Sequence, residues 1–133
     1  MDIGNYNIAD LTQVVYTAMT AATAVSTNVF TDRPVTTPAE MTDFVVVKFP
    51  TSVYNRLGTG FTSCRISLFA RDVTMNNITY ENISKLKTMQ NAVYAKLPIT
   101  HAKCLIGNPT PINAGSDKLG FHCIHINCDV TII

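Results

Sequence analysis

Charged residues are scarce in this sequence. Only 14% of its 133 residues are Asp, Glu, Lys or Arg, whereas 47% are hydrophobic. A typical globular domain has about 25% charged residues, and a small monomer uses them to keep its neighbours away. We therefore expect a surface of uncharged Thr, Asn and Ser that is partly covered in an assembly.

Clustered basic residues are also absent. The net charge is +1, and Lys and Arg are spread along the chain. Tight binding of nucleic acid requires a basic run or patch that displaces counterions from the phosphates. The composition therefore argues against a dedicated nucleic-acid-binding module.

Long apolar runs and CxxC spacings are missing too. No stretch of 18 or more apolar residues occurs, so we expect no membrane span. Residues 1–5 lack the basic and apolar regions of a signal peptide, so none is expected. In a cytosolic product the cysteines are then expected to be buried, reduced thiols. They are Cys64, Cys104, Cys123 and Cys128.

Two segments have the apolar spacing of an amphipathic helix. The first runs from residue 8 to about 25, with Asn7 as its N-cap. The second runs from about Tyr80 to Leu97, where Pro98 ends it. The predicted apolar stripes are Ile8, Leu11, Val15, Ala18 (with Met19) and Ala22 in the first, and Ile83, Leu86, Met89 (or Gln90), Val93 and Leu97 in the second.

Five further segments have the character of strands. Residues 29–31 and 103–106 predict short strands, and the β-branched run 44–49 predicts a strand buried on both faces. Residues 62–71 and 121–133 alternate between apolar and polar, which is typical of a strand with one buried face. The Pro- and Gly-containing segments between them, 50–60 and 107–120, predict loops.

These elements predict a single domain over residues 1–133 with an α+β fold. We expect a single mixed, mainly antiparallel sheet of four to five strands with two helices packed on one face. The last strand has no proline or lysine to blunt its edge, so either the sheet itself or a neighbouring subunit should cover that edge.

The last strand also contains a cluster of potential metal ligands. They are His122, Cys123, His125 and Cys128. On a strand, only Cys123 and His125 of these point to the outer face together, so a zinc site would need ligands from elsewhere. The candidates are Cys64, Cys104 and His101. Packed thiols beside polar histidines are the simpler interpretation, and a small Cys/His metal-binding or accessory enzyme domain is the alternative.

No catalytic motif is present in the sequence. Cys104 and His101 are close along the chain, but a cysteine nucleophile also needs an orienting partner, for which the sequence offers no candidate. No segment has the spacing of a phosphate-binding loop. We therefore expect no catalytic residues, no metal and no cofactor.

Three residues are candidates for subunit contacts. Arginine and aromatic side chains are enriched at protein interfaces. Arg56 and Phe61 flank the predicted loop 50–60, and Arg33 lies in the turn after the first short strand. We predict that Arg33, Arg56 and Phe61 form subunit contacts, although the loop could equally be an ordinary solvated hairpin tip.

The ordered segments resemble the tail-terminator (tail-completion) and related neck proteins of tailed bacteriophages. The best matches are the aromatic-x-x-Arg-Pro turn at residues 30–34 and the strand that Pro50 closes. The helix that ends in Leu97-Pro98 and the closing strand 121–133 continue the resemblance over nearly the whole chain.

The resemblance implies a homo-oligomeric ring in the virion tail or neck, assembled in the host cytoplasm. Such rings usually have six copies, or twelve in the neck of a short-tailed phage, and join the tail tube to the head connector on the portal side. DNA passes through the central hole without sequence-specific binding. The family has no catalytic residues to carry over. Its channel is expected to be negatively lined, whereas this chain is poor in acidic residues, so the sequence does not place the channel wall.

Overall fold

The computed structural model describes residues 7–56, 59–102 and 104–132. Within them it shows two helices, a seven-stranded sheet and a separate two-stranded hairpin. The elements in chain order are α1 (Ile8–Ala21), β1 (Val29–Phe30), β2 (Asp43–Lys48), β3 (Tyr54–Arg56), β4 (Thr59–Arg71), β5 (Val73–Met75), β6 (Ile78–Tyr80), α2 (Ile83–Lys96), β7 (Ile99–His101), β8 (Cys104–Ser116) and β9 (Phe121–Ile132).

The large sheet has the strand order β1-β2-β4-β9-β8-β7, and β3 pairs with the first residues of β4. The β1–β2 pair is parallel and the other pairs are antiparallel. The α+β class and the mixed, mainly antiparallel sheet are confirmed. The expected single sheet of four to five strands is wrong, because the described residues form seven strands in the large sheet and two more in a separate hairpin. Since β9 lies between β4 and β8, the sheet itself covers the edges of the last strand.

The largest difference from the sequence prediction is β8. Residues 107–116 were expected to form a loop because of their prolines and glycines, but they pair with β9. In the described part of the chain, β7 pairs only with residues 104–106, so the rest of β8 is bonded on one side. Pro109 and Pro111 are tolerated there because an edge strand can do without some amide donors.

Both helices begin close to their predicted positions. The Asn7 side chain accepts a hydrogen bond from the Asp10 amide at 2.9 Å, which confirms it as the N-cap of α1. Asn82 caps α2 in the same way through the Lys85 amide at 3.1 Å. The first helix ends at Ala21 rather than near residue 25.

One face of the large sheet packs against both helices, as predicted. Leucine, valine and methionine side chains of the helices fill this core together with the alternate residues of β4 and β9. The burial of each such side chain contributes about 1.5–3 kcal/mol. The helix residues at its centre are Leu11, Val15, Met19, Leu86, Met89 and Val93. The first residues of the two predicted stripes, Ile8 and Ile83, are exposed instead, because each stands at the start of its helix.

The opposite, helix-free face contains a second, smaller core at one end. The Phe44 and Phe69 rings stack with centroids 4.4 Å apart, and the Phe121 ring meets Phe44 edge-on at 5.0 Å. Phe30 and Met41, from the two ends of the segment between β1 and β2, pack against this cluster. The strand β2 is therefore buried on both faces, as the run 44–49 predicted.

Candidate assembly surfaces

Arg33 lies over the aromatic cluster of the helix-free face. Its guanidinium carbon is 5.3 Å from the Phe44 ring centroid and 5.8 Å from that of Phe121. Its Nη2 donates to Asp117 Oδ2 at 2.7 Å. The side chain is 25% exposed, so most of its surface is covered by contacts within this chain. A contact between its exposed part and another subunit stays a prediction.

Besides pairing with Arg33, Asp117 stabilises the turn between β8 and β9. Its Oδ1 accepts hydrogen bonds from the amides of Leu119 at 2.7 Å and Phe121 at 3.1 Å. Burial by itself would raise the pKa of Asp117. The hydrogen bonds from Arg33 and the two amides outweigh that effect, so the pKa is lowered below its ordinary value.

The expected loop 50–60 contains a hairpin, in which β3 pairs with residues 59–61 of β4. Phe61 is half-buried, and its ring lies 5.6 Å from that of Tyr54, which is exposed. The backbone of Arg56 pairs with Thr59, while its side chain and residues 57–58 lie outside the described part. The proposed contacts of Phe61 and Arg56 stay predictions.

The helix-free face beyond the aromatic cluster is polar, and we call it the open face. It includes Ser63, Arg65, Asn127, Asp129 and Thr131, which β4 and β9 bring side by side. Arg65 Nε donates to Asn127 Oδ1 at 3.0 Å, so this charge is held by a neighbouring side chain. Charges of both signs lie here, and they form no basic patch of the kind that binds phosphates.

The separate hairpin, residues 73–80, projects from the domain, and we call it the arm. Its turn residues Asn76 and Asn77 have φ of 53° and 63°, the positive values that a two-residue type I′ turn requires. The Thr74 and Thr79 hydroxyls meet across the strands at 3.1 Å. All residues from 74 to 80 are exposed.

The arm places large apolar side chains in water. A single exposed apolar residue is ordinary, but a contiguous group of them marks an interaction surface. The exposed fractions are 61% for Met75, 64% for Ile78, 43% for Tyr80 and 65% for Ile83 at the start of α2. Sequence reasoning missed this arm, although asparagine tolerates the positive φ that such a turn requires and two adjacent asparagines are a turn signal.

A groove opens at the opposite end of α2, beside the point where β7 stops pairing with β8. Its volume is about 340 Å³. A bulge in β8 shapes one wall, where Asn108 has φ of 51° and its Nδ2 donates to Asp129 Oδ2 at 3.2 Å. The lining residues are Tyr94, Leu97, Pro98, Leu105, Gly107, Asn108, Pro109, Asp129 and Thr131.

The histidines and cysteines of β9 are not brought together as a set of metal ligands. Cys123 Sγ and His125 Nδ1 lie 3.6 Å apart on the helix-free face, as predicted. The remaining cysteines, Cys64, Cys104 and Cys128, are buried in the core on the helix side. Among the residues that the structure describes, no group of three His, Cys, Asp or Glu side chains could hold a metal ion.

The thiols are also poorly suited to act as nucleophiles. Burial raises the pKa of Cys123 to about 12 and that of Cys128 to about 11, and it raises the pKa of Cys104 as well. Burial lowers the pKa of His125, whose Nδ1 is 2.7 Å from Ser67 Oγ. Protonated thiols beside a neutral imidazole lack the thiolate that cysteine catalysis needs.

Neither described helix is long and apolar enough to cross a membrane.

Similarity to known proteins is found among solved structures. No protein-family model and no curated protein sequence matches this chain. Among solved structures, a chain from the virion of a native gene transfer agent particle is similar, with a TM-score of 0.66 and 17% sequence identity. The similarity covers 96% of this chain and 98% of that chain. This chain therefore has, over nearly its whole length, the fold of a chain from a gene transfer agent virion.

Proposed function

We propose that this protein is a non-enzymatic structural subunit of a phage-like virion. Its fold matches nearly all of a chain from a gene transfer agent virion, and this observation carries the proposal. Within such a particle we place it at the head–tail junction, in the tail or neck. This placement rests on the resemblance of residues 30–34 and 44–50 to tail-terminator proteins.

The proposed mechanism is mechanical. Copies bind one another head-to-tail, and the rotation between neighbours closes a ring. The low charge, 14% of residues, supports assembly because neighbouring copies repel one another little. The exposed apolar arm supports it further, since a solitary monomer gains nothing from such a surface.

The ring is proposed to contain six copies, or twelve if it belongs to a short-tailed particle. Its neighbours are the tail tube on one side and the portal-side connector on the other. DNA passes through the hole without sequence-specific contacts, and the net charge of +1 supports weak binding because few phosphates can be neutralised. Assembly takes place in the host cytoplasm.

Light scattering coupled to size-exclusion chromatography tests the ring. We expect a species of six or twelve times the 14.6 kDa chain mass, and negative-stain images with a central hole. A monomer at every concentration, with and without the tail-tube protein, would contradict the proposal. Metal analysis addresses the alternative, because stoichiometric zinc in the purified protein would favour a Cys/His metal-binding domain.

A further inference from the structure

We propose that the arm of one copy binds in the groove of the next copy. This inference deepens the proposed ring function and rests on it for the head-to-tail arrangement. A ring of identical subunits needs two different surfaces on each copy, placed so that the contact cannot close on itself as an isologous dimer. The arm and the groove are two different surfaces, and they lie at opposite ends of α2.

The arm cannot reach its own groove. The first residue of α2, Ile83, adjoins the arm, whereas Tyr94 and Leu97 at the other end line the groove. With a rise of 1.5 Å per residue, the 14 residues of α2 separate the two sites by about 21 Å. The arm has only three residues in each strand, or about 10 Å of reach. An arm in this groove must therefore come from a second copy.

The two surfaces match in polarity. Residues 73–80 contain no charged side chain. The groove is lined mainly by apolar and uncharged residues, and its one carboxylate, Asp129, accepts a hydrogen bond from Asn108. Docking an uncharged arm there breaks no ion pair, and the Asp129 carboxylate keeps its hydrogen bond from Asn108. The arm offers no charge to a charged partner, and the groove offers no cation to the phosphates of a nucleic acid.

The apolar area is of the right order for part of an interface. Three large side chains of the arm at 43–64% exposure, together with Ile83 beside it at 65%, amount to several hundred Å², similar to the ~300–600 Å² of the largest apolar patches on typical monomers. A stable interface buries about 800 Å² on each partner, so the arm supplies the centre and polar neighbours supply the rim.

Pairing of strand edges is a weaker route to the same ring. The long unpaired edge of β8 carries Pro109 and Pro111, together with register shifts between Gly107 and Thr110 and between Asn113 and Gly115. Prolines and bulges are the devices by which natural sheets prevent their edges from joining. The contact between copies is therefore assigned to the side chains of the arm and the groove.

Two single substitutions test the contact. Ile78→Lys places a charge on the arm, and Leu105→Lys places one in the groove, where Leu105 is 44% exposed. Val35→Lys is the matched control, because Val35 is 94% exposed on the segment between β1 and β2. All three positions are exposed, so circular dichroism and thermal melting should match those of the wild type. We expect at least tenfold weaker self-association for Ile78→Lys and Leu105→Lys. The control Val35→Lys should self-associate as the wild type does.

Mixing the two variants gives the decisive result. The Leu105→Lys protein keeps its arm and the Ile78→Lys protein keeps its groove, so the mixture should form a 1:1 dimer that neither forms alone. Rings that persist in both variants would overturn the arm–groove contact while leaving the ring proposal intact. A dimer in the mixture without closed rings in the wild type would support the contact and contradict the ring. Monomers throughout would overturn both.

Discussion

Arg33 and Asp117, 84 positions apart in the sequence, form an ion pair at 2.7 Å over the aromatic cluster. The pair fastens the segment after β1 to the turn between β8 and β9, which lie at distant positions in the sheet order. The guanidinium lies over the rings of Phe44, Phe69 and Phe121. One arginine thereby closes a second core on the face of the sheet that has no helix.

Replacement of Arg33 should therefore destabilise the fold. We expect Arg33→Ala to lower the free energy of unfolding by about 1–3 kcal/mol, since it removes a cation–π contact and leaves a partly buried carboxylate without its partner. Arg33→Lys should lose less, because it keeps the charge but not the planar fork. Urea unfolding measures both. A change below about 0.5 kcal/mol for Arg33→Ala, the range of an ordinary surface substitution, would contradict this role.

The stability should also fall in acid through Asp117. Its pKa is lowered in the folded state, so the stabilisation is fully present above the unfolded value, near 3.8, and is lost as pH falls through the folded pKa. Unfolding free energies measured from pH 6 down to pH 2 should decline less steeply in Asp117→Asn than in the wild type. Equal slopes for the two proteins would show that another carboxylate is responsible.

Much of the fold could be predicted because the main elements carry their own periodicity. The stripe of Leu11, Val15 and Met19 and the alternation along β9 are set by which side chains must leave water. The short strands β3 and β7 have too few residues to show a period. The stretch 107–116 has turn-like composition, and only its pairing with β9 makes it a strand.

The candidate surfaces were less predictable, because they depend on contacts between distant segments. Arg33 was predicted as an interface residue from its type alone, and nothing local shows that Asp117 and three phenylalanine rings surround it. The groove needs α2, the bulge at Asn108 and β9 to meet at one place. The arm was missed as well, although its Asn76-Asn77 turn is visible in the sequence.

Phe69 should behave as a core residue although the alternation of β4 assigns it to the outer face. It is 7% exposed and stacks on Phe44. We expect Phe69→Ala to cost about 3–5 kcal/mol of unfolding free energy, as buried aromatic truncations do. Ser63→Ala, on the same strand and face, is the matched control and should change it by less than about 0.5 kcal/mol. Similar effects of the two substitutions would argue against a second core.

The four cysteine thiols should be unreactive in the folded protein. All are buried, and burial raises the pKa of each, to about 11 for Cys128 and about 12 for Cys123. Only a thiolate attacks a disulfide reagent at an appreciable rate. A chromogenic disulfide reagent at pH 8 should therefore titrate no thiol within minutes in buffer and all four in denaturant. One fast-reacting thiol in the native state would contradict the burial described here.

The turn of the arm allows its rigidity to be changed without altering its apolar side chains. Asn76 and Asn77 adopt positive φ, a conformation that costs most residues roughly 1–2 kcal/mol but glycine almost nothing. The double substitution of both asparagines by alanine should loosen the hairpin, so amide hydrogen exchange at residues 73–80 should accelerate while the global unfolding free energy stays nearly constant. The corresponding diglycine variant should keep the hairpin.

If the arm binds the next copy, the dialanine protein should associate several-fold more weakly than the diglycine protein, because a loose arm must be ordered again on binding. Equal association of the two variants, with exchange accelerated only in the first, would show that the arm takes no part in assembly.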